Sequence, residues 1–206
     1  AGLRVPDADA LRPVERLGAL DAQDERLRFE SVSGGVVTGL LTHLLDAGAI
    51  TGAVVVRWQQ DNPLRPEVTI ARTAEDLRAS QKSRYCMVPV AAAVAAIDAL
   101  ESEKLAVVGL PCHLDAINNA MDAGVIPRDR IALRVGLFCD RVLSYRAIDE
   151  LIDQSDTAIE DVATFHYRDK RQRGWPGDVA IETKSGEVRF RPRQERMRLK
   201  DPFTPA

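Results

Sequence analysis

Apolar positions between Val36 and Gly48 recur at helical spacing, with Val36, Val37, Leu40, Leu41, Leu44 and Leu45 gathered on one side of a 3.6-residue repeat. A Ser33-Gly34-Gly35 turn opens this helix. The β-branched run Gly52 to Trp58 then predicts a strand, and a turn at Asn62-Pro63 leads to a second strand over Glu67 to Ala71. Thr73 followed by Glu75 and Asp76 has the pattern of a helix N-cap with acidic first-turn residues. Val88 to Leu100, mostly alanine and valine, reads as a buried helix too short to span a bilayer.

Further along, Lys104 to Gly109 and Ile131 to Gly136 are strand-like, and each precedes a helical pattern, Cys112 to Ala123 and Leu143 to Asp153. Strand followed by helix, repeated, predicts crossover units in a largely parallel sheet. After Thr157 the pattern changes to two-residue alternation over Val162 to Tyr167, Asp178 to Thr183 and Glu187 to Arg191, with Lys184-Ser185-Gly186-Glu187 as a hairpin turn. The predicted fold class is α/β: a mostly parallel sheet with crossover helices, followed by an antiparallel β extension that looks truncated. Residues 1–28, with an amphipathic stretch around Leu17 to Leu27, read as a linker or the remnant of a preceding module. Residues 29–157 form the α/β domain, and 158–206 begin a second, incomplete one, because the polar end from Met197 to Ala206 does not resemble a closing element.

A chain of 206 residues can bury a sizeable core, and 45% hydrophobic with 29% charged residues excludes a disordered tail. The net charge of -3 gives no basic excess for nucleic acid, so no nucleic-acid partner is expected. Neither a membrane-inserting run nor a secretory pattern in Ala1 to Pro13 is found, and the expected location is cytoplasmic. Cys86, Cys112 and Cys139 are an odd, sparse set, which argues against a disulfide framework and leaves thiol or metal chemistry open.

Several segments carry candidate chemistry. Ser31-Val32-Ser33-Gly34-Gly35 before a helix suits a phosphate, since glycine admits backbone amides and the helix dipole favours an anion; a serine-capped helix start explains the same residues. Cys112 and Cys139 each follow the C-terminal end of a predicted strand, where open parallel sheets bind ligands. If those strands are neighbours, the two sulfurs could share one site, as metal ligands, a redox disulfide or a nucleophile; two buried apolar cysteines is the plainer alternative. Cys86 reads as packing, His43 as packing on an apolar helix face, and His166 as a surface residue. His113, at a helix start beside Cys112, could tune a thiolate or donate to a cofactor. The basic stretch Arg168 to Gly177, including Lys170, Arg173 and Trp175, could hold an anionic cofactor or be a solvated hairpin loop.

Taken in order, Ser33-Gly34-Gly35-Val36-Val37-Thr38, Ser83-Arg84-Tyr85, Gly109-Leu110-Pro111-Cys112, Gly136-Leu137-Phe138-Cys139 and Gly174-Trp175-Pro176-Gly177 resemble the beta-subunit family of coenzyme F420 hydrogenases and dehydrogenases, over about residues 29 to 190. That family is related to formate dehydrogenase beta subunits and 7-hydroxymethyl chlorophyll a reductase. The resemblance implies FAD, an iron–sulfur cluster of the 4Fe-4S type, and electron transfer between that cluster and a hydride acceptor or donor such as coenzyme F420. It assigns Ser33, Gly34, Gly35, Thr38, Ser83, Arg84, Tyr85, Gly109, Pro111, Arg173 and Trp175 to cofactor binding. Cys112, His113 and Lys170 fall to the catalytic centre, and Cys112 and Cys139 to the metal. The implied partners are a redox subunit or a ferredoxin-like carrier, together with the small-molecule hydride acceptor or donor. Asp140 stands where the family pattern has glycine, and the pattern continues past the equivalent of Pro205 into a cysteine-rich segment, so a cluster would need ligands from outside these residues. A non-catalytic relay or docking subunit, and a cofactor-free domain with a Cys112–Cys139 disulfide, are the competing expectations.

Overall fold

The short loop after Trp58 decides the edge of the main sheet. Gln59 N donates to Arg65 O at 2.9 Å, and Leu64 N to the Asn62 side chain at 3.1 Å, so the chain reverses at once. A reversal this tight can only return antiparallel, since a parallel neighbour needs a long crossover. The computed structural model describes residues 21–199, so the start of the Leu17 to Leu27 stretch and the tail beyond Leu199 lie outside the described residues.

Within them the chain forms α1 (Glu25–Glu30), α2 (Val36–Asp46), β1 (Gly52–Trp58), β2 (Pro66–Ala71), α3 (Ala74–Ala79), α4 (Val90–Asp98) and β3 (Leu105–Gly109). It continues with α5 (Pro111–Asp122), β4 (Ile131–Gly136), α6 (Arg146–Asp153), β5 (Val162–Asp169), β6 (Asp178–Thr183), β7 (Val188–Arg191) and α7 (Arg193–Arg198). The first sheet has the order β2-β1-β3-β4, with β1, β3 and β4 parallel and β2 antiparallel at the edge. The second is the antiparallel meander β5-β6-β7. Both sheets of the predicted fold class are therefore present.

Alternation along the parallel strands sends side chains to both faces, and both faces are covered. Ala53, Val55 and Ala106 pack with Leu41 of α2 and Leu77 of α3. Val54, Leu105 and Val107 pack with Ala93 and Ile97 of α4 and with Ile117 and Met121 of α5. The meander buries Phe165, Tyr167, Val179 and Ile181 against Ala147, Ile148, Leu151 and Ile152 of α6. An aromatic cluster joins the two sheets: the Trp58 indole N–H, at the end of β1, donates to Phe165 O at 2.8 Å. Phe165 and Tyr167 meet edge to face at 4.8 Å, and Tyr85 meets Tyr167 at 5.4 Å.

Local chemistry explains where elements start. Thr73 caps α3 as expected: its hydroxyl accepts from Asp76 N, and the Asp76 carboxylate accepts from Thr73 N, both at 3.1 Å. The helix predicted over Val88 to Leu100 is shorter and only half covered, with Ala93 and Ile97 buried while Ala91, Ala92 and Ala95 face outward. Alanine is small enough to sit on either face, so its abundance did not mark burial. α6 begins at Arg146 rather than Leu143 because Leu143 is drawn into a parallel bridge with Cys86, its N–H donating to Tyr85 O at 2.7 Å. The polar end of the chain contributes more than its composition suggested: Met197 lies in α7, and Leu199 is buried in the α6 core.

One glycine fixes the return of the meander. Gly177 has φ +91°, and a Cβ there would lie 2.9 Å from Asp169 N and 3.0 Å from Asp169 O. Gly177→Ala combines a left-handed backbone with a clash against main-chain atoms, and is expected to destabilise the protein by about 2–3 kcal/mol. Urea unfolding of the variant checks this; an unchanged midpoint would contradict it.

Candidate functional site

Gln81 to Cys86 runs without regular structure between α3 and α4, and it is in contact with both halves of the chain. At its start, Gln81 Nε2 donates to Ser31 Oγ at 3.3 Å, and Lys82 Nζ reaches Asp169 Oδ2 at 2.6 Å. Lys170, next in the chain, donates to Arg28 O at 2.6 Å and to Ser33 O at 3.4 Å. Ser33, the Lys82-Ser83 pair and Lys170, distant in sequence, thus meet at one place. Gly35 is the N-cap of α2, with φ 74° and no side-chain cap, so the serine-capped alternative does not hold. The first amides of α2, including that of half-buried Thr38, are left to other partners. Because α2 enters β1 through a short loop, its N-terminus lies at the edge where the parallel strands end.

This corner is rich in cations. Burial, together with Arg168, Lys82 and Arg28, lowers the pKa of Lys170. Burial alone would raise the Asp169 pKa, but hydrogen bonds from Arg171 and Lys82 outweigh it and hold the carboxylate well below its usual range. His166 is half-buried here, not a surface residue as its charged neighbours suggested. Burial first, then Lys82, Arg171 and Arg84 against the opposing pull of Asp169, depress its pKa to about 3. The imidazole is therefore neutral in the folded protein. The unfolded chain takes up a proton near pH 6.5 and the folded one does not, so stability is full above that value and falls as the pH drops toward 3. The expected slope is up to about 1.4 kcal/mol per pH unit, and His166→Gln should flatten it in unfolding measured across the window. An unaltered slope in that variant would count against the assignment.

Farther along the segment, Arg84 has a structural job. Its guanidinium donates to Ser80 O, Gln81 O, Lys82 O and Ala79 O between 2.9 and 3.2 Å, and lies 5.3 Å from the Trp58 ring centroid. Burial lowers its pKa to about 10. The Nη1 and Nη2 donors clamp the end of α3, while Nε is buried without a hydrogen-bond partner. Half-buried Ser83 precedes it, and Tyr85 follows, packed on Tyr167 under the Arg196 guanidinium. Cys86 is buried, as expected for packing, and burial pushes its thiol up to about 11.

The other candidate residues stand where β3 and β4 end. These strands are neighbours, as the shared-site reading required, and Leu137 N donates to Gly109 O at 2.9 Å. A Cβ on Gly109 would come within 3.0 Å of His113 Cβ, so the glycine lets α5 turn back closely behind Pro111. Burial lowers the His113 pKa, and the ring lines a narrow apolar cleft with Val88, Val90, Val107 and Ile117. Cys112 and Cys139 are exposed and free, so they are neither buried packing nor a formed disulfide. Among the described residues no group of three or more His, Cys, Asp or Glu is placed to hold a metal, and an iron–sulfur cluster takes four ligands. These two thiols do not make a cluster site by themselves. In the β5–β6 loop, Arg173 pairs with both Asp178 oxygens at 2.5 and 2.7 Å, whereas Trp175 is 70% exposed.

Sequence reasoning missed Lys82, Asp169 and His166, which tie the corner together, although Lys82 adjoins the Ser83 motif and Asp169 lies inside the basic run. His43 was misplaced as well: it is exposed on α2, because its ring falls outside the face covered by the sheet. Among the described residues no helix is long and apolar enough to cross a membrane.

Comparison with known proteins bears on the same residues. The family described as coenzyme F420 hydrogenase/dehydrogenase, beta subunit N-term matches residues 19–95, and the model for the C terminus of the same beta subunit matches residues 102–201. The coenzyme F420-dependent sulfite reductase of Methanocaldococcus jannaschii is 31% identical over 160 residues, covering 68% of this chain and 24% of that protein. The beta subunit of the coenzyme F420 hydrogenase of Methanothermobacter thermautotrophicus is 32% identical over 133 residues, covering 63% of this chain and 47% of the relative. One of the subunits of the F(420)H(2) dehydrogenase of Methanosarcina mazei is 29% identical over 160 residues, covering 77% and 42%. The chain thus spans less than half the length of each of these relatives. A chain from the xenon-derivatized F420-reducing NiFe hydrogenase complex of Methanosarcina barkeri superposes with a TM-score of 0.63 at 23% identity, covering 88% of this chain and 62% of its own, which is a likeness of fold. With both halves matched in order, the chain belongs to the coenzyme F420 hydrogenase/dehydrogenase beta subunit family.

Proposed function

We propose that the chain is the flavin-carrying part of an electron-transfer oxidoreductase that exchanges a hydride with coenzyme F420 or a related carrier. The observation that supports it most is the junction of the Ser33 turn with Lys170 and the Lys82–Asp169 pair, at a helix start left without a side-chain cap. FAD is anionic through its pyrophosphate, and uncapped helix amides beside Lys170, Lys82 and Arg28 fit such a group. The residues that would hold it are Ser33, Gly34, Gly35 and Thr38 at the turn, with Lys170 supplying charge. A bound flavin supplies both hydride and single-electron chemistry. The chain's own part is position and protonation. Asp169 fixes Lys82 through their ion pair, and neutral His166 offers one donor and one acceptor nitrogen without adding charge. Cys112 and His113 sit apart, at the end of β3, where the His113 ring lines the apolar cleft and burial lowers its pKa. The iron–sulfur centre expected from the family finds no four-ligand set in the described residues, and no step is assigned to it.

A relay or docking role has one observation in its favour: Leu137 and Phe138, after edge strand β4, are exposed at 41% and 105%. Purified protein that passes electrons from a reduced viologen dye to coenzyme F420, with no partner protein present, would exclude that second reading. For the first, FAD titration of the purified protein against its Lys170→Ala variant is the test. Binding weakened about tenfold or more in the variant is expected, and equal binding by both would refute the assignment.

A further inference from the structure

Two arginines outside this corner are buried with donors that nothing among the described residues satisfies. Arg196, on α7, is 3% exposed; its guanidinium lies 4.7 Å from the Tyr85 ring centroid, and its Nε has no hydrogen-bond partner. The Arg141 side chain is 5% exposed, and its Nη1 is also buried without a partner. The hydrogen bond from Leu143 N to Tyr85 O brings the Arg141 segment beside the same tyrosine. Arg168 and Arg193 are close enough, with Arg141, to disfavour the charge on Arg196. Arg141 pairs with exposed Asp140, but among the described residues Arg168, Arg193 and Arg196 have no carboxylate partner. Arg168 Nε is used by Pro176 O at 2.7 Å.

Buried like charges repel, and a desolvated guanidinium without an acceptor is costly unless an anion completes it. Four guanidinium groups whose one carboxylate partner among the described residues is Asp140, on Arg141, match the charge of a phosphoryl group, and guanidinium is the side chain best shaped to grip its oxygens. We infer that Arg141 and Arg196, over Tyr85 and supported by Arg193, form a binding site for a phosphoryl group that does not use Lys170. Arg168 lies near both this site and the Ser33–Lys170 corner. The inference does not rest on the flavin reading. Its ligand is free phosphate or the phosphate of a small anionic molecule such as a nucleotide.

Calorimetric titration of the purified protein with inorganic phosphate and, separately, ADP tests it, with potassium chloride at matched ionic strength as control. Phosphate binding is expected to weaken about tenfold or more in Arg196→Met and in Arg141→Met, and to persist in Lys170→Ala. Should Arg196→Met fail to fold, Arg196→Gln on the same readout replaces it. Tighter binding of ADP than phosphate, lost in the arginine variants, identifies a nucleotide; equal binding of both, lost in the same variants, identifies the bare phosphoryl group. Binding that survives in both arginine variants, or no binding of either probe by the wild type, overturns the inference. Binding lost only in Lys170→Ala also overturns it while leaving the flavin site standing.

Discussion

Asp169→Ala is expected to lower the stability of the protein by about 3–5 kcal/mol, a large share of the total stability of an ordinary domain. Asp169 is 1% exposed and accepts from Lys82 Nζ at 2.6 Å, from Arg171 Nε at 2.9 Å and from Arg171 N at 2.9 Å. Removing the carboxylate leaves Lys82 without its ion-pair partner beside Lys170 and Arg84, and unpaired buried charge is the source of the loss. Asp169→Asn retains the shape and part of the hydrogen bonding, so it should lose less. The carboxylate also sets an acid limit. Its folded pKa is depressed, so its contribution is complete above the unfolded value of about 3.9 and is lost as the pH falls below it. Urea unfolding of the wild type and both variants, at neutral and at acid pH, measures these effects. An alanine variant as stable as the wild type would show that the Lys82 corner is not held together as described.

Phe165→Ala should have an effect of similar size, about 3–5 kcal/mol, through a cavity rather than a charge. Phe165 is fully buried, edge to face with Tyr167 at 4.8 Å and with Trp58 at 6.2 Å. Because Trp58 ends β1, the cavity opens at the joint of the two sheets. Trp58 emission should shift to the red as water reaches the indole, and the unfolding midpoint should fall. Phe138→Ala supplies the contrast: that side chain is wholly exposed, and its removal should change stability by less than about 0.5 kcal/mol. Equal losses in the two variants would contradict the assignment of the core.

Much of the architecture was legible because periodicity reports burial directly. The strands ending at Gly109 and Gly136 and the Thr73 cap are local patterns, and they are found where the residues place them. The turn at Asn62-Pro63 between two strands was read in the same way, whereas the antiparallel edge pairing it produces is seen only in the structure. Less visible was anything set by a distant neighbour. Leu143 reads as the start of a helix, yet its backbone is taken by Tyr85 and Cys86. Arg84 looked like a ligand contact, but whether its donors face a ligand or four carbonyls at the end of α3 depends on the path after that helix. His166 and Asp169 sit in a run of charges that reads as solvated surface, yet Asp169 is buried against Lys82 and Arg171 and His166 is half-buried beside them. Arg141 and Arg196 were likewise indistinguishable from surface arginines, since Arg196 is buried where α7 meets Tyr85 and the Arg141 segment is drawn to the same residue through Leu143.

The absorbance spectrum of the purified protein, taken after incubation with FAD and removal of unbound cofactor, tests the central claim most directly. Retained flavin in near-stoichiometric amount, lost in Lys170→Ala while the far-ultraviolet circular dichroism is unchanged, is the predicted result. A folded wild-type protein that emerges colourless would contradict it.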